Sequence, residues 1–364
     1  MSTQDLPVGR SNGMAIFALR IALFLVCQPS ANAVLAEVYG VASLHDVVWF
    51  LAIPSYVILA AVWLYTRASP DPALRGISEA LVIGAVGGFI GTVAYDVIRI
   101  PFVLGGLRVF VPNDTYGLWI LNASASSRFS ETVGWAYHFA NGTTFGIMYA
   151  LFMRGRHWAF GVAWAFLLET IALISPYGAI YHFAGDPWKI AIAYYGHVGY
   201  GVPLGLMVQR WDQSAALLGA LPRVARLAIA GLFVAAIVGS LTSPAAREVD
   251  ARTQPRTFLI DNGRLEPDWL RLPGPGKITV KNPCASPNAL VVDNTPPIPL
   301  APCEERAIDM AASGIHQIYV RTELPLSRSS FVLVEPVAAA VPAKQRSTMS
   351  DRAGVRTADR GLSR

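Results

Sequence analysis

The chain has 364 residues, of which 53% are hydrophobic and only 15% are charged, whereas soluble proteins carry about 25% charged residues. This composition excludes an ordinary water-soluble globular protein. The formal net charge of +5 does not indicate nucleic-acid binding, because the basic residues are spread over short loops and the C-terminal end rather than gathered on one face.

Apolar residues in the first two-thirds of the chain occur in runs of about 20, the length that an α-helix needs to cross a hydrocarbon layer of about 30 Å. Charges, prolines and glycines bound these runs. The sequence therefore predicts a membrane-embedded, all-α helical bundle over residues 1–243. The predicted segments are 14–34, 47–66, 79–101, 133–153, 157–178, 189–209 and 222–241.

The first segment has two interpretations. Arg10 and Arg20, the apolar stretch 21–27 and the small residues 30–33 describe a cleavable signal peptide. Apolar residues continue past the cleavage point, which favours a retained helix. The bundle therefore has either six or seven transmembrane helices.

Lysine and arginine bias predicts the orientation, since cytoplasmic loops hold the excess. With the N-terminus inside, the cytoplasmic side holds Arg10, Arg67, Arg75, Arg154, Arg156, Arg210, Arg223 and Arg226, and the outer loops hold Arg108, Arg128, Lys189 and Arg247. Both helix counts then place the C-terminal domain outside. The alanine- and arginine-rich composition and the absence of eukaryotic sorting signals indicate a bacterial inner membrane, with a periplasmic C-terminal domain.

Small residues recur four positions apart in three of the segments. Such spacing lets helix backbones approach closely where no hydrophobic drive exists between helices. It predicts mutual packing of the helices. The residues are Gly84, Gly87, Gly88, Gly91, Gly142, Gly146, Gly201 and Gly205.

The composition changes after Pro244. We predict a linker over 244–255, a small antiparallel β-sandwich over 256–336, and a disordered basic tail over 337–364. Short alternating runs between prolines and glycines mark the strands, at 257–260, 277–280, 289–292, 307–310, 315–321 and 331–334. Cys284 and Cys303, an even pair in a domain outside the membrane, suggest a disulfide.

The β-domain resembles the cupredoxin family. The run 265–273 is similar to the family's opening "F-x-P-x-x-I-x-V-P", 300–304 to its "L-x-P-G-E" turn, and 314–320 to its "G-T-Y-x-F-x-C" strand. The resemblance covers less than a quarter of the chain. It implies a cupredoxin-like Greek-key sandwich in which the two cysteines lie in loops at the same end.

The family's copper site does not carry over. A type 1 centre needs two imidazoles, a thiolate and a weak axial ligand. Asn288 stands where the family has its first His, Val320 stands where it has Cys, and the loop 322–330 holds neither His nor Met. His316 matches an aromatic position within the strand. The resemblance therefore implies the fold without type 1 copper.

Ionisable residues inside spanning helices are costly, by about 2.5 to 3.5 kcal/mol for Asp or Arg at the centre, and are functional candidates by default. Four lie between about 7 and 13 Å from the outer ends of their segments. They therefore share the half of the membrane that faces the β-domain. They are Asp96, His138, Glu169 and His197.

These four residues permit three interpretations. In the first, the polar side chains form ion pairs or hydrogen bonds in pairs, with Asp96 beside Arg99 and His138 bonded to Asn141 or another neighbour. Alternatively, two imidazoles and carboxylates hold a metal, or the imidazoles hold a haem. In the third, they line a cavity for a small ligand or a proton relay.

The chain contains no phosphate-binding loop, metalloprotease His pair or serine nucleophile elbow. We expect a non-enzymatic membrane protein with a binding or transport-like role. Its expected partners are the lipid bilayer and either a periplasmic protein or a small ligand, not nucleic acid. The alternative is a membrane oxidoreductase or metalloprotein that uses His138, His197 and Glu169.

Overall fold

The computed structural model describes residues 9–104, 109–183, 186–222, 256–261, 263–293, 295–321 and 330–335. Within these ranges the chain forms a helical region up to residue 222 and a two-sheet β-region from residue 256. Three predicted parts lie outside the described residues: the seventh apolar segment from residue 223, the linker and the basic tail.

The helical region has helices at each of the first six predicted apolar segments. Three stretches are long and apolar enough to cross a membrane: Gly13–Ala31, Leu44–Arg67 and Pro72–Leu104. A π-helical turn, Val48–Ala52, lies within the second stretch. The helices are α1 (Gly9–Ala31), α2 (Ala33–Val38), α3 (Leu44–Val47), α4 (Ile53–Arg67), α5 (Pro72–Val97), α6 (Ile100–Leu104), α7 (Val111–Leu121), α8 (Arg128–Met153), α9 (Ala159–Ile174), α10 (Pro176–Ile180), α11 (Pro187–Gln209) and α12 (Trp211–Ala220).

Helices α8, α9 and α11 carry most of the residues that form the candidate site. The 26 residues of α8 and the 23 residues of α11 correspond to lengths of about 39 and 35 Å. Helix α9 is a shorter apolar helix of 16 residues. The predicted site residues His138, Glu169 and His197 lie on α8, α9 and α11, respectively.

Glycines hold the long helices in direct backbone contact. A Cβ atom added to Gly88 of α5 would lie 2.5 Å from the carbonyl oxygen of Gly142 in α8, a separation too short for a real Cβ. Gly161 of α9 makes a similarly close approach to Gly201 and Gly205 of α11. The predicted packing role of the small residues is therefore confirmed.

The β-region consists of two sheets. One has the strand order β2-β1-β4-β7, and the other has the order β3-β9-β8-β5-β6. The strands are β1 (Thr257–Asp261), β2 (Arg264–Glu266), β3 (Trp269–Leu272), β4 (Gly276–Lys281), β5 (Asn288–Val292), β6 (Ile298–Leu300), β7 (Glu305–Met310), β8 (Gly314–Val320) and β9 (Ser330–Val334).

The prediction of a purely antiparallel sandwich is wrong for two strand pairs. Strand β1 runs parallel to β4, and β3 runs parallel to β9. The cause is the chain path: after the β1–β2 hairpin the chain crosses to the other sheet as β3, then returns as β4 along the second edge of β1. The six predicted strands are all present, whereas β2, β3 and β6 were not predicted as strands because three or four residues are too few to show alternation.

The sandwich closes around an apolar core and carries the predicted disulfide. Phe258, Ile278, Leu290 and Val332, drawn from both sheets, are fully buried. Cys284, after β4, is bonded to Cys303, after β6, with their Cα atoms 4.2 Å apart.

The sandwich does not stand apart from the helices. Its Trp269, Ile315, Phe331 and Leu333 belong to one apolar cluster with residues of α2, α3, α7, α8 and Tyr181 after α10. The loop between α7 and α8 also pairs with the edge strand β3, since the amide of Ser126 donates to the carbonyl of Trp269 at 3.0 Å. The sandwich is thus anchored to one end of the helical region.

Candidate functional site

A cavity of about 170 Å³ lies inside the helical region, near the end that contacts the sandwich. Residues of α5, α7, α8, α9, α10, α11 and the α1–α2 junction line it. Three of the four predicted site residues, His138, Glu169 and His197, are in its wall. The other lining residues are Ala31, Asn32, Val34, Leu35, Thr92, Tyr95, Tyr116, Asn141, Gly142, Phe145, Leu168, Ile171, Ala172, Tyr177 and Tyr200.

Asp96, the fourth predicted residue, lies behind the wall and is fully partnered. Its Oδ1 atom accepts a hydrogen bond from Nη2 of Arg99 at 3.0 Å, three residues away on the same helical turn. Both carboxylate oxygens lie 3.1 Å from Nε2 of His138. The predicted Asp96–Arg99 pair is confirmed, and His138 is bonded to Asp96 rather than to Asn141.

Arg99 is buried together with its partners. Its Nε donates to the carbonyl of Tyr95 at 3.3 Å, and its Nη1 donates to the carbonyl of Val109 at 3.1 Å. The guanidinium also lies over the rings of Tyr95 and Phe110, at 3.7 and 4.7 Å from their centroids. These contacts offset the cost of removing the charge from water.

Glu169 and His197 form a looser pair that faces the cavity. Nε2 of His197 lies 3.4 Å from Oε2 of Glu169, while Nδ1 of His197 lies 2.9 Å from the carbonyl of Ala193 on the preceding turn of α11. Glu169 is only 7% exposed. A buried carboxyl at this distance from its partner has hydrogen-bonding capacity left for a molecule in the cavity.

Tyr95 lies between the Asp96–His138 pair and the Glu169–His197 pair. Its ring centroid lies 5.8 Å from that of His138 and 4.9 Å from that of His197. The four predicted residues are therefore neighbours around one tyrosine. The distances confirm that these side chains are paired, and the cavity lies next to the two pairs.

The cavity wall also contains a buried acceptor that lacks a donor. Oδ1 of Asn141 makes no hydrogen bond within the described part of the chain. Leaving such a group unpaired costs about 1 to 3 kcal/mol, so this position favours a bound donor. The sequence indicated Asn141 only as one candidate hydrogen-bond partner of His138; its spacing of three from His138 places both on one face of α8.

The four predicted ligands do not form one metal-binding set. Among the described residues, no group of three or more His, Cys, Asp or Glu side chains is close enough to hold a metal ion. Each imidazole instead faces a carboxylate, His138 toward Asp96 and His197 toward Glu169.

A tyrosine layer separates the cavity from the sandwich. Tyr116 of α7 and Tyr177 of α10 line the cavity, and both pack against the cluster that contains Trp269 and Ile315 of the sandwich. The ring of Tyr177 lies 4.4 Å from that of Tyr181. Sequence reasoning missed this layer because no predicted apolar run covers α7, and only the first residues of α10 fall within the predicted segment 157–178. The tyrosines of these two helices were the only signal.

The sandwich positions that correspond to copper ligands serve structural roles. The side-chain amide of Asn288 donates to Oδ1 of Asn282 at 2.6 Å, and Val320 is 1% exposed in the core. His316 bonds to Asp293 and lies 2.9 Å from the carbonyl of Ala312. The hydrogen bond that His316 donates to the Asp293 carboxylate raises the pKa of His316.

No protein-family model matches the chain, and no curated protein or solved structure is detectably similar to it. Function therefore has to be inferred from the cavity and its surroundings.

Proposed function

We propose that this chain is a multi-pass bacterial inner-membrane protein that binds a small hydrogen-bonding ligand in the helical cavity, without catalysing a reaction. The observation that carries the proposal is the polar wall of this cavity. His138, Glu169 and His197 line it together with the unpaired Oδ1 of Asn141. Glu169, held only loosely by His197, and the unpaired Asn141 keep unused hydrogen-bonding capacity, and such polar groups within a membrane are costly and mark functional sites by default.

Helix length supports the multi-pass arrangement. Besides the three strongly apolar stretches, α8 and α11 exceed the roughly 30 Å of the hydrocarbon layer. Both pack against α5 or α9 through glycines. We therefore assign α8, α9 and α11 to the membrane as well, which gives six crossings before residue 223.

The distribution of basic residues supports an outer location for the sandwich. Arg154, at the end of α8, lies 3.0 Å from Asp212 and 3.7 Å from Glu79, so the ends of α8 and α11 and the start of α5 meet there. The sandwich contacts the opposite end of α8. Since cytoplasmic ends hold the basic excess, the sandwich belongs on the periplasmic side.

The pairing of two mixed sheets is compatible with a cupredoxin-like Greek-key sandwich. Its proposed role is to hold the tyrosine layer over the cavity, without a type 1 copper centre. This role needs no metal in the sandwich, because the contact with the helices is made by Trp269, Ile315 and Phe331.

Ligand-dependent stabilisation tests the binding proposal. The purified full-length protein in detergent is titrated with resorcinol, phenol and imidazole, which are ring-sized donors, and thermal unfolding is recorded. A ligand at 100 times its Kd adds about 2.7 kcal/mol to the free energy of unfolding. We expect a rise in Tm that Asn141→Leu and Glu169→Gln each reduce by at least half.

Tyr149→Phe is the matched control, because the Tyr149 hydroxyl is also buried and unpaired but is not among the residues that line the cavity. It should keep the wild-type response. Equal responses in Asn141→Leu and the wild type, or no response to any probe, would contradict the proposal. Stoichiometric iron, zinc or haem that is lost in His138→Ala and His197→Ala would favour the metalloprotein alternative.

A further inference from the structure

Only two of the residues that line the cavity are exposed, and they indicate where it reaches the surface. Asn32 lies between α1 and α2, and Ile171, which is 39% exposed, lies near the end of α9. Leu35 of α2 is a further, half-buried lining residue beside Asn32. From this exposure we assign an opening between Asn32, Leu35 and Ile171, and we call it the mouth.

On its α9 side the mouth opens among apolar side chains, and the side-chain amide of Asn32 on the other side is bonded to Gln28. On the same helix as Ile171, Leu167 and Ile174 are 50% and 78% exposed, and α9 is predominantly apolar, with its one charged residue, Glu169, buried. Such a surface faces lipid in a membrane protein. A molecule that uses the mouth therefore comes from the bilayer rather than from water.

The size and polarity of the interior restrict the occupant further. The volume of about 170 Å³ is similar to that of an engineered cavity of about 150 Å³ that accepts benzene. Glu169 and Asn141, whose Oδ1 makes no hydrogen bond in the described part of the chain, are among the residues that line this interior. A single ring that carries hydroxyl donors matches both the space and these groups.

We propose that the cavity binds the hydroxylated ring headgroup of a membrane-soluble amphiphile, such as a quinol- or phenol-type lipid, whose apolar tail leaves through the mouth into the bilayer. This inference rests on the proposed function, which it makes specific. The polar ring is enclosed by α5, α8, α9 and α11, and the tail lies between α2 and α9.

Paired probes with and without a tail test this geometry. Binding of resorcinol and 4-hexylresorcinol to the full-length protein in lipid nanodiscs is measured by calorimetry, with empty nanodiscs subtracted. In Ile171→Trp and Leu35→Trp the indole fills the mouth, so the affinity for 4-hexylresorcinol should fall at least 10-fold. Because Leu35 and Ile171 also line the cavity, resorcinol, which has no tail to pass through the mouth, serves as the reference probe, and its affinity should fall at least 3-fold less than that of 4-hexylresorcinol.

Leu167→Trp is the control, since Leu167 is exposed on α9 but does not line the cavity; it should bind both probes as the wild type does. If resorcinol binds in an Asn141-dependent manner while 4-hexylresorcinol does not bind, or binds equally well in Ile171→Trp, the lipid-entry inference is wrong and the proposed function stands. If neither probe binds, both proposals fail.

Discussion

The helical region and the sandwich bury different kinds of side chain. The helical region buries Asp96, Arg99 and Glu169, while the buried polar side chains of the sandwich are Asn282 and Ser330 among the residues described there. The sandwich is held by an apolar core, which the hydrophobic effect stabilises. Lipid provides no such drive between helices, so the helical region depends on backbone contacts and internal polar pairs, and its chemistry lies there.

Removing the buried carboxylate that is paired with Arg99 should have the largest effect on stability. Asp96→Ala leaves the Arg99 guanidinium, with 7% of its side chain exposed, without its countercharge, which costs about 3 to 5 kcal/mol for a buried pair. Thermal unfolding of the detergent-purified protein measures the loss. Asp212→Ala is the control, because it removes the exposed partner of Arg154 and should cost less than about 1 kcal/mol. Similar losses of stability in both variants would show that the burial of Asp96 adds nothing to its contribution.

On the sandwich side, the disulfide should make the largest single contribution. Cys284 and Cys303 are 19 positions apart, and closing a loop of this size stabilises a fold by about 3 kcal/mol. Cys284→Ala with Cys303→Ala should lower the Tm of the protein, and dithiothreitol should lower the wild-type Tm to the same value. If the reductant also lowers the Tm of the double variant, the effect does not come from this bond.

Alanine substitutions at two glycines of α5 distinguish the effect of close backbone contact from the effect of helix propensity on stability. Gly88→Ala places a methyl group against α8 and should destabilise the protein by about 1 to 3 kcal/mol. Gly76→Ala meets no atom within 4 Å and should stabilise it by up to about 1 kcal/mol. Circular dichroism melts compare the two variants; a stabilising Gly88→Ala would refute the close contact of α5 with α8.

A small pH effect should come from the Asp293–His316 pair of the sandwich. Asp293 raises the pKa of His316 above 6.5. Burial by itself would raise the pKa of Asp293, but the hydrogen bonds that it accepts from His316 and from the Gln317 amide outweigh burial and lower this pKa below 3.8. The contribution of His316 to stability is full below pH 6.5 and is lost as the pH rises through the pKa of His316 in the folded protein. The contribution of Asp293 is present above pH 3.8 and is lost as the pH falls through the pKa of Asp293 in the folded protein.

The pair therefore stabilises the fold most between about pH 4 and 6.5, by less than about 1 kcal/mol since Asp293 is 41% exposed. Unfolding curves at pH 5 and pH 8 measure it. His316→Gln and Asp293→Asn should each remove the difference between these two pH values. A difference that persists in both variants must have another source.

The sequence predicted the two-part organisation well, for identifiable reasons. Apolar runs of membrane length located α1, α4, α5, α8, α9 and α11, because length and hydropathy are local properties. The paired cysteines predicted the disulfide, and the charges within apolar segments predicted Asp96, His138, Glu169 and His197 as a group. Sequence alone did not predict the parallel pairings of β1 with β4 and β3 with β9, since pairing direction depends on how the chain crosses between sheets.

The amino-acid sequence by itself determined which segments are apolar, which are extended, and which polar residues must be buried. Only the tertiary structure decided that Asp96 is also bonded to His138, while Glu169, His197 and Asn141 line a cavity. It alone also showed that Trp269 of the sandwich and the tyrosines of α7 and α10 close one end of this region. The reason is physical: the partner of a buried polar group comes from another helix, and only the packing of the helices decides which side chains meet.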